Sequence, residues 1–178
     1  MIDQEVLVRS VTEATAEVFS MMLDMDIQAA GPVTDARPST DGLIALVGIT
    51  GEWGGSGVFC CSPMLASIIS ARMLGGEIDE TSRPVIDEEV LDVVAEVTNM
   101  MVGNIKNGLE PVTGPLAISV PTVIHGRNFE FRNGYGLKGT SISFITGKER
   151  FEVRVALAPS SEQGIVRSRI PILGLAHA

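Results

Sequence analysis

The stretch "DVVAEVTNMM", residues 92 to 101, places Asp92, Glu96 and Asn99 inside an otherwise apolar, helix-like run. At about 100° per residue these three fall together with Gly103 on one side of a helix. Val90, Val94, Val97, Met101 and Ile105 fall on the other side, so the polar group is a solvent-facing row and not a defect in a core. Asn is a mediocre helix former, because its short amide competes for backbone hydrogen bonds. An exposed helix face without a task more often carries Glu, Lys, Gln or Arg. A carboxamide offers two donors and an acceptor without ionising, so it can hold a water and a substrate oxygen at once. Glu96, three residues before Asn99 and thus its surface neighbour, can grip a Lys or Arg of a partner. Gly103 leaves bare backbone on the same row, at roughly 1 kcal/mol relative to Ala. A plain solvated face would share this position on the helix but would not require these residue types.

Other chemistry finds little support. Cys60 and Cys61 are adjacent in a strand-like run, where neighbours point to opposite faces, so they read as unpaired thiols in a reducing compartment. With two histidines, His125 and His177, and no cluster at ligand spacing, no metal site is expected. A phosphate-cradling GxxxxGK[ST] loop and a GxSxG nucleophile elbow are both missing. The net charge of −9 argues against nucleic acid and against anionic lipid. No run reaches the roughly 18 apolar residues of a membrane span, and the N-terminus has no apolar signal core, so a cytoplasmic protein is expected.

The elements that must position the row follow from periodicity and capping. Residues 4 to 28 read as a first helix, with Val8, Val11, Thr15, Val18 and Met22 on its apolar face. A turn-rich stretch, "AAGPVTDARPSTDG", follows. "LIALVGIT" and "SGVFCCS" read as strands about a hairpin turn in "GEWGGSG". "SPMLASIISARMLGG" is a second helix, with Ser62 as cap, Pro63 at its first position and Gly75 at its end. The helix carrying the row starts near Asp87 and is expected to end near Gly108. "LAISVPTVI", "GTSISFITG" and "FEVRVALAP" are three strand candidates, and the tail from 160 to 178 is unassigned. With 4% aromatic residues, the core is expected to rest on Val, Ile, Leu, Ala and eight Met.

The order of elements suggests a repeat. "AEVFSMM" at 16 lies over "AEVTNMM" at 95 at an offset of 79, and the same offset carries "PVT" at 32 onto "PVT" at 111. The expectation is one α+β domain spanning 1–178, built from two helix–strand repeats of about 1–80 and 81–178. Its central sheet should be mainly antiparallel, with the two repeat-related helices side by side on one face. In the first repeat the row reads Glu13, Glu17, Ser20 and Asp24, so the amide is replaced by a hydroxyl and only the second copy is complete.

With Asp92, Glu96, Asn99 and the later Pro121, the sequence resembles the CheC/CheX/FliY family of phosphatases. That family's motif is Asp or Ser, three residues, Glu, two residues, Asn, and a Pro after the helix, whose spacing here departs by one residue. "GITGEWGGSGVFCCSPMLASIISARMLGG" and "LAISVPTVIHG" also resemble its flanking segments. One complete motif is similar to the CheX branch. The resemblance implies an antiparallel sheet with two motif helices across it, a homodimer, and a phosphorylated CheY-like response regulator of chemotaxis as partner. It implies that Asn99 orients the attacking water, that Glu96 pairs with the regulator's Lys, and that Asp92, Gly103 and Pro121 serve binding. No cofactor is implied on this chain, since Mg²⁺ belongs to the regulator. The alternative is a non-catalytic signalling or dimerisation module of the same fold that docks such a regulator. Like many regulators the chain is acidic, so encounter would depend on local contacts.

Overall fold

The computed structural model describes residues 2–33, 41–77, 83–127 and 137–161. Helix α1 (Gln4–Leu23) starts where the Asp3 carboxylate accepts from the Glu5 N–H at 3.0 Å. It ends at Leu23, five residues short of the expected end, because Asp24 turns left-handed at φ 50°. Strand β1 (Gln28–Pro32) follows within the stretch read as turns. Its composition gives little strand signal; pairing with a later strand makes it one.

Strands β2 (Asp41–Gly51) and β3 (Trp53–Cys61) form the expected hairpin, but its turn is tighter than "GEWGGSG" suggested. Gly54, Gly55 and Gly57 belong to β3 itself. Helix α2 (Pro63–Leu74) has the expected ends: the Leu65 N–H donates to Ser62 Oγ at 3.0 Å, and Gly75 closes it at φ 75°. The Ser62 hydroxyl also donates to Glu149. Helix α3 (Glu88–Thr113) begins where Asp87 accepts from the Val90 N–H at 3.0 Å.

Helix α3 runs past Gly108 and even through Pro111 to Thr113. Gly108 is not a terminator. A Cβ there would lie 3.2 Å from Ser10 Oγ, so the glycine lets α3 pass close to α1. The stop is Gly114, at φ 76°. "LAISVPTVI" then splits into β4 (Leu116–Ile118) and β5 (Thr122–Arg127), separated by a turn at Ser119 to Pro121. Strands β6 (Lys138–Thr146) and β7 (Glu149–Pro159) complete the sheet.

All pairings are antiparallel, in the order β1-β6-β7-β3-β2, with β4 and β5 both on the free edge of β2. Helix α1 packs on β6 and β7, and α3 packs beside it on β2, β3 and β4, both on one face. Facing them, Leu43, Ala45, Val47 and Ile49 of β2 and Phe151, Val153, Val155 and Leu157 of β7 alternate inward. The centre of this core is aromatic despite the low aromatic content. Phe19 of α1 stacks on Phe151 at 4.6 Å, with Phe144 and Phe59 at 5.1 and 5.6 Å from Phe151. Of the methionines in the described segments only Met101 is fully buried, and Met22, expected on the apolar face of α1, is exposed. Phe19 and Leu23 take the places expected of it.

Cys61 faces the helices and Cys60 the other side, both unpaired. Burial pushes the Cys60 thiol up to about 12, with Arg154 opposing and Glu152 adding to the rise. Burial, then Cys60 and Glu149, raises Cys61 as well. Both stay protonated at neutral pH, which removes them as nucleophiles.

Candidate functional site

The placement of α3 on the sheet decides where the polar row points. Val90, Val94, Val97, Met101 and Ile105 are all buried against the core, as their spacing predicts. Val102 sits directly over Gly57 of β3: a Cβ on Gly57 would come within 2.5 Å of Val102 Cγ2 and 2.9 Å of Cγ1. That glycine sets how closely the helix approaches the sheet. At the far end, Lys106 Nζ donates to Glu110 Oε1 at 2.7 Å and to the Leu116 carbonyl at 3.3 Å. The Leu116 N–H returns a hydrogen bond to Glu110 Oε1 at 3.1 Å, so one carboxylate ties α3 to β4. The Lys106 hydrogen bond first, then the Leu116 N–H, hold Glu110 below the usual carboxylate range.

Asp92 and Glu96 are exposed, and Asn99 and Gly103 are half-buried, all on the outer side of α3. None of the Asp92, Glu96 and Asn99 side chains has a hydrogen bond or ion pair among the described residues. Asn99 and Gly103 line a groove of about 420 Å³ between α3 and α1. Met21, Met22, Met100 and Ile118 supply its apolar lining. Asp92 and Glu96 lie further along the helix and do not line it. Pro121 sits in the β4–β5 turn, half-buried and also outside the groove.

The first-repeat row differs from the second in more than its Ser. Glu17 Oε2 accepts from Asn104 Nδ2 at 3.2 Å, a bond between α1 and α3. Glu96, its counterpart at the offset of 79, is left free for a partner. Asn104 and Met21 were not singled out in the sequence, and Met22 was expected in the core. A hint existed in the adjacent pair Met21–Met22, since one apolar stripe cannot bury two successive helix residues equally well. The second repeat match fares differently from the first: Pro32 ends a strand, whereas Pro111 lies in the last turn of α3.

An open antiparallel sheet with two helices side by side on one face, one of them carrying a free acid–amide row, is a CheC-like architecture. A CheC-like superfamily protein from Shewanella sp. PV-4 shares the fold, at 23% identity and a TM-score of 0.72 over 88% of this chain and 99% of that one. The family model described as "Chemotaxis phosphatase CheX" matches residues 43–145, and the chain belongs to the CheX family. A Thermotoga maritima protein named CheY-P phosphatase CheX is 30% identical over 140 residues, covering 74% of this chain and 86% of that protein. A chemotaxis protein from Desulfovibrio vulgaris Hildenborough is 27% identical, with a TM-score of 0.74 over 86% of this chain and 97% of that one. The CheX of a CheX–CheY–BeF3–Mg complex from Borrelia burgdorferi aligns with a TM-score of 0.73 at 23% identity, over 88% and 99% of the two chains. Among the described residues no helix is long and apolar enough to cross a membrane.

Proposed function

We propose that this chain hydrolyses the aspartyl phosphate of a CheY-like response regulator, with Asn99 orienting the attacking water and Glu96 pairing with a lysine of the regulator. The observation that carries this is the unpartnered Asn99 carboxamide on an exposed helix face, one turn from an equally free Glu96. Membership of the CheX family and the name of the Thermotoga relative support the choice of substrate.

The chemistry asks little of the protein. An acyl phosphate is already activated, so the water oxygen attacks phosphorus in line while the bond from phosphorus to the carboxylate oxygen breaks. The products are the free carboxylate and inorganic phosphate, and the water's proton leaves with phosphate or solvent. Asn is no base at neutral pH, so its contribution is to hold the water in place, an effect that can be worth about 10²-fold or more in rate. The regulator's Mg²⁺ and lysine would meet the charge that develops on phosphate. Glu96 engages that lysine to seat the two proteins. The working form is taken to be a cytoplasmic homodimer that needs no cofactor of its own.

The test is loss of radiolabel from a phosphorylated CheY-like regulator, paired with binding to the same regulator loaded with beryllofluoride. Asn99→Ala is expected to lower turnover by about 10²-fold with nearly intact binding, because a positioning group acts mainly in the transition state. Glu96→Ala should weaken both. Unchanged hydrolysis by a folded Asn99→Ala protein refutes the catalytic assignment and leaves a non-catalytic docking module.

A further inference from the structure

The groove beside Asn99 contains apolar surface for which the water-positioning row has no use. Met21 is 75% and Met22 47% exposed, side by side on the α1 wall. Single exposed apolar residues are commonplace, but here they converge with Met100 and Ile118 on one concavity. Its floor is open at Gly103, where an added Cβ would find only Ile118 Cδ1, at 3.8 Å. A volume of about 420 Å³ has room for a large side chain.

Charge narrows the occupant further. Lys106 lines the groove, but its ammonium is held by Glu110 at 2.7 Å. Glu17, also in the lining, is a carboxylate held only by a neutral amide, and exposed Glu96 lies just beyond. The rim is therefore net acidic around an apolar floor. Because Asn99 itself lines the groove, any surface that brings a phosphate to that amide must cover it.

We propose that the groove between α1 and α3 takes a large aliphatic or aromatic side chain of the phosphorylated regulator, next to a basic residue that meets Glu17. This rests on the role assigned to Asn99 above. Glu96 and Asn99 serve features common to any such regulator, its lysine and its phosphate. The groove adds an apolar contact of its own, separate from the lysine and the phosphate. Methionines suit this task, since their unbranched side chains adapt to several shapes.

The experiment compares Met21→Ala/Met22→Ala and Met21→Glu with wild type in the full chain, and uses Leu74→Ala as control. Leu74, 54% exposed at the end of α2, lies outside the groove. Binding is titrated with a CheY-like regulator loaded with beryllofluoride and Mg²⁺, and kcat and KM are measured on the radiolabelled phosphoprotein. Both methionine variants should raise Kd and KM about tenfold or more, with kcat within about twofold, as expected for contacts made equally in ground and transition states. Leu74→Ala should match wild type. Met21 and Met22 lie outside the core, so thermal melts should stay near wild type. Kd and KM within about twofold of wild type in folded methionine variants would overturn the proposal while leaving an Asn99-dependent activity in place. Lost binding in these variants beside unchanged hydrolysis in Asn99→Ala would uphold the groove and sink the catalytic assignment. A wild-type chain that binds no such regulator overturns both.

Discussion

At the scale of the residue, the site depends on which polar groups are left unpartnered. Glu17 and Glu96 occupy matching places on two helices, yet Asn104 engages only the first. Gly103 is the sharpest remaining test of a residue-level role. Nothing in the fold requires it, since a Cβ would make ordinary contact with Ile118 at 3.8 Å. Gly103→Ala should therefore raise stability by about 0.5–1 kcal/mol, read as a higher midpoint in denaturant. The same methyl would narrow the groove, so affinity for the beryllofluoride-loaded regulator should fall. A variant that gains stability and keeps full affinity would remove Gly103 from the binding surface.

At the scale of the element, helix α3 is held at a set depth by the contact of Val102 with Gly57 and at its C-terminal end by the Lys106–Glu110–Leu116 link. Gly57→Ala pushes a methyl group into a stiff, branched side chain, so the helix or the strand must shift. Overpacking of this kind costs about 1–3 kcal/mol. The expected result is a lower melting temperature, together with reduced turnover, because Val102 adjoins Gly103 on the helix. Adding Val102→Ala should restore part of both, which a double-mutant cycle measures. Additive losses would show that the two sites do not meet. The buried positions of α1 and α3 also correspond at the offset of 79: Val11, Ala14, Thr15, Val18 and Leu23 match Val90, Val93, Val94, Val97 and Val102. A duplicated unit would produce that pattern.

At the scale of the whole molecule, the sheet ends in β1 on one side and in β4 and β5 on the other. Ile124 of β5 is 51% exposed. The family resemblance leads us to expect a homodimer, and light scattering at micromolar concentration should report twice the chain mass of 18.9 kDa. A monomer under those conditions would count against it, without touching the assignment of Asn99.

The sequence by itself determined what is local. Helix starts at Asp3, Ser62 and Asp87 depend on a side chain reaching a few residues along the chain, and the alternation of β2 and β7 on a period of two. The solvent-facing row on α3 was legible for the same reason, because burial of one helix face dictates the other. Only the tertiary structure decided what depends on a neighbour. Gly108 read as a helix end, and α3 runs on past it because the glycine serves the close packing against Ser10 instead. Met22 read as core, and Phe19 and Leu23 are buried in its place because the aromatic cluster draws that side of α1 to the sheet. Cys60 and Gly57 read as parts of a strand and a turn, yet their burial and clearance are set by residues distant in sequence. The groove belongs to this second class. Met21 and Asn99 lie far apart in the chain, and no periodicity in either helix records the distance between them, which is fixed by the packing of both on one sheet.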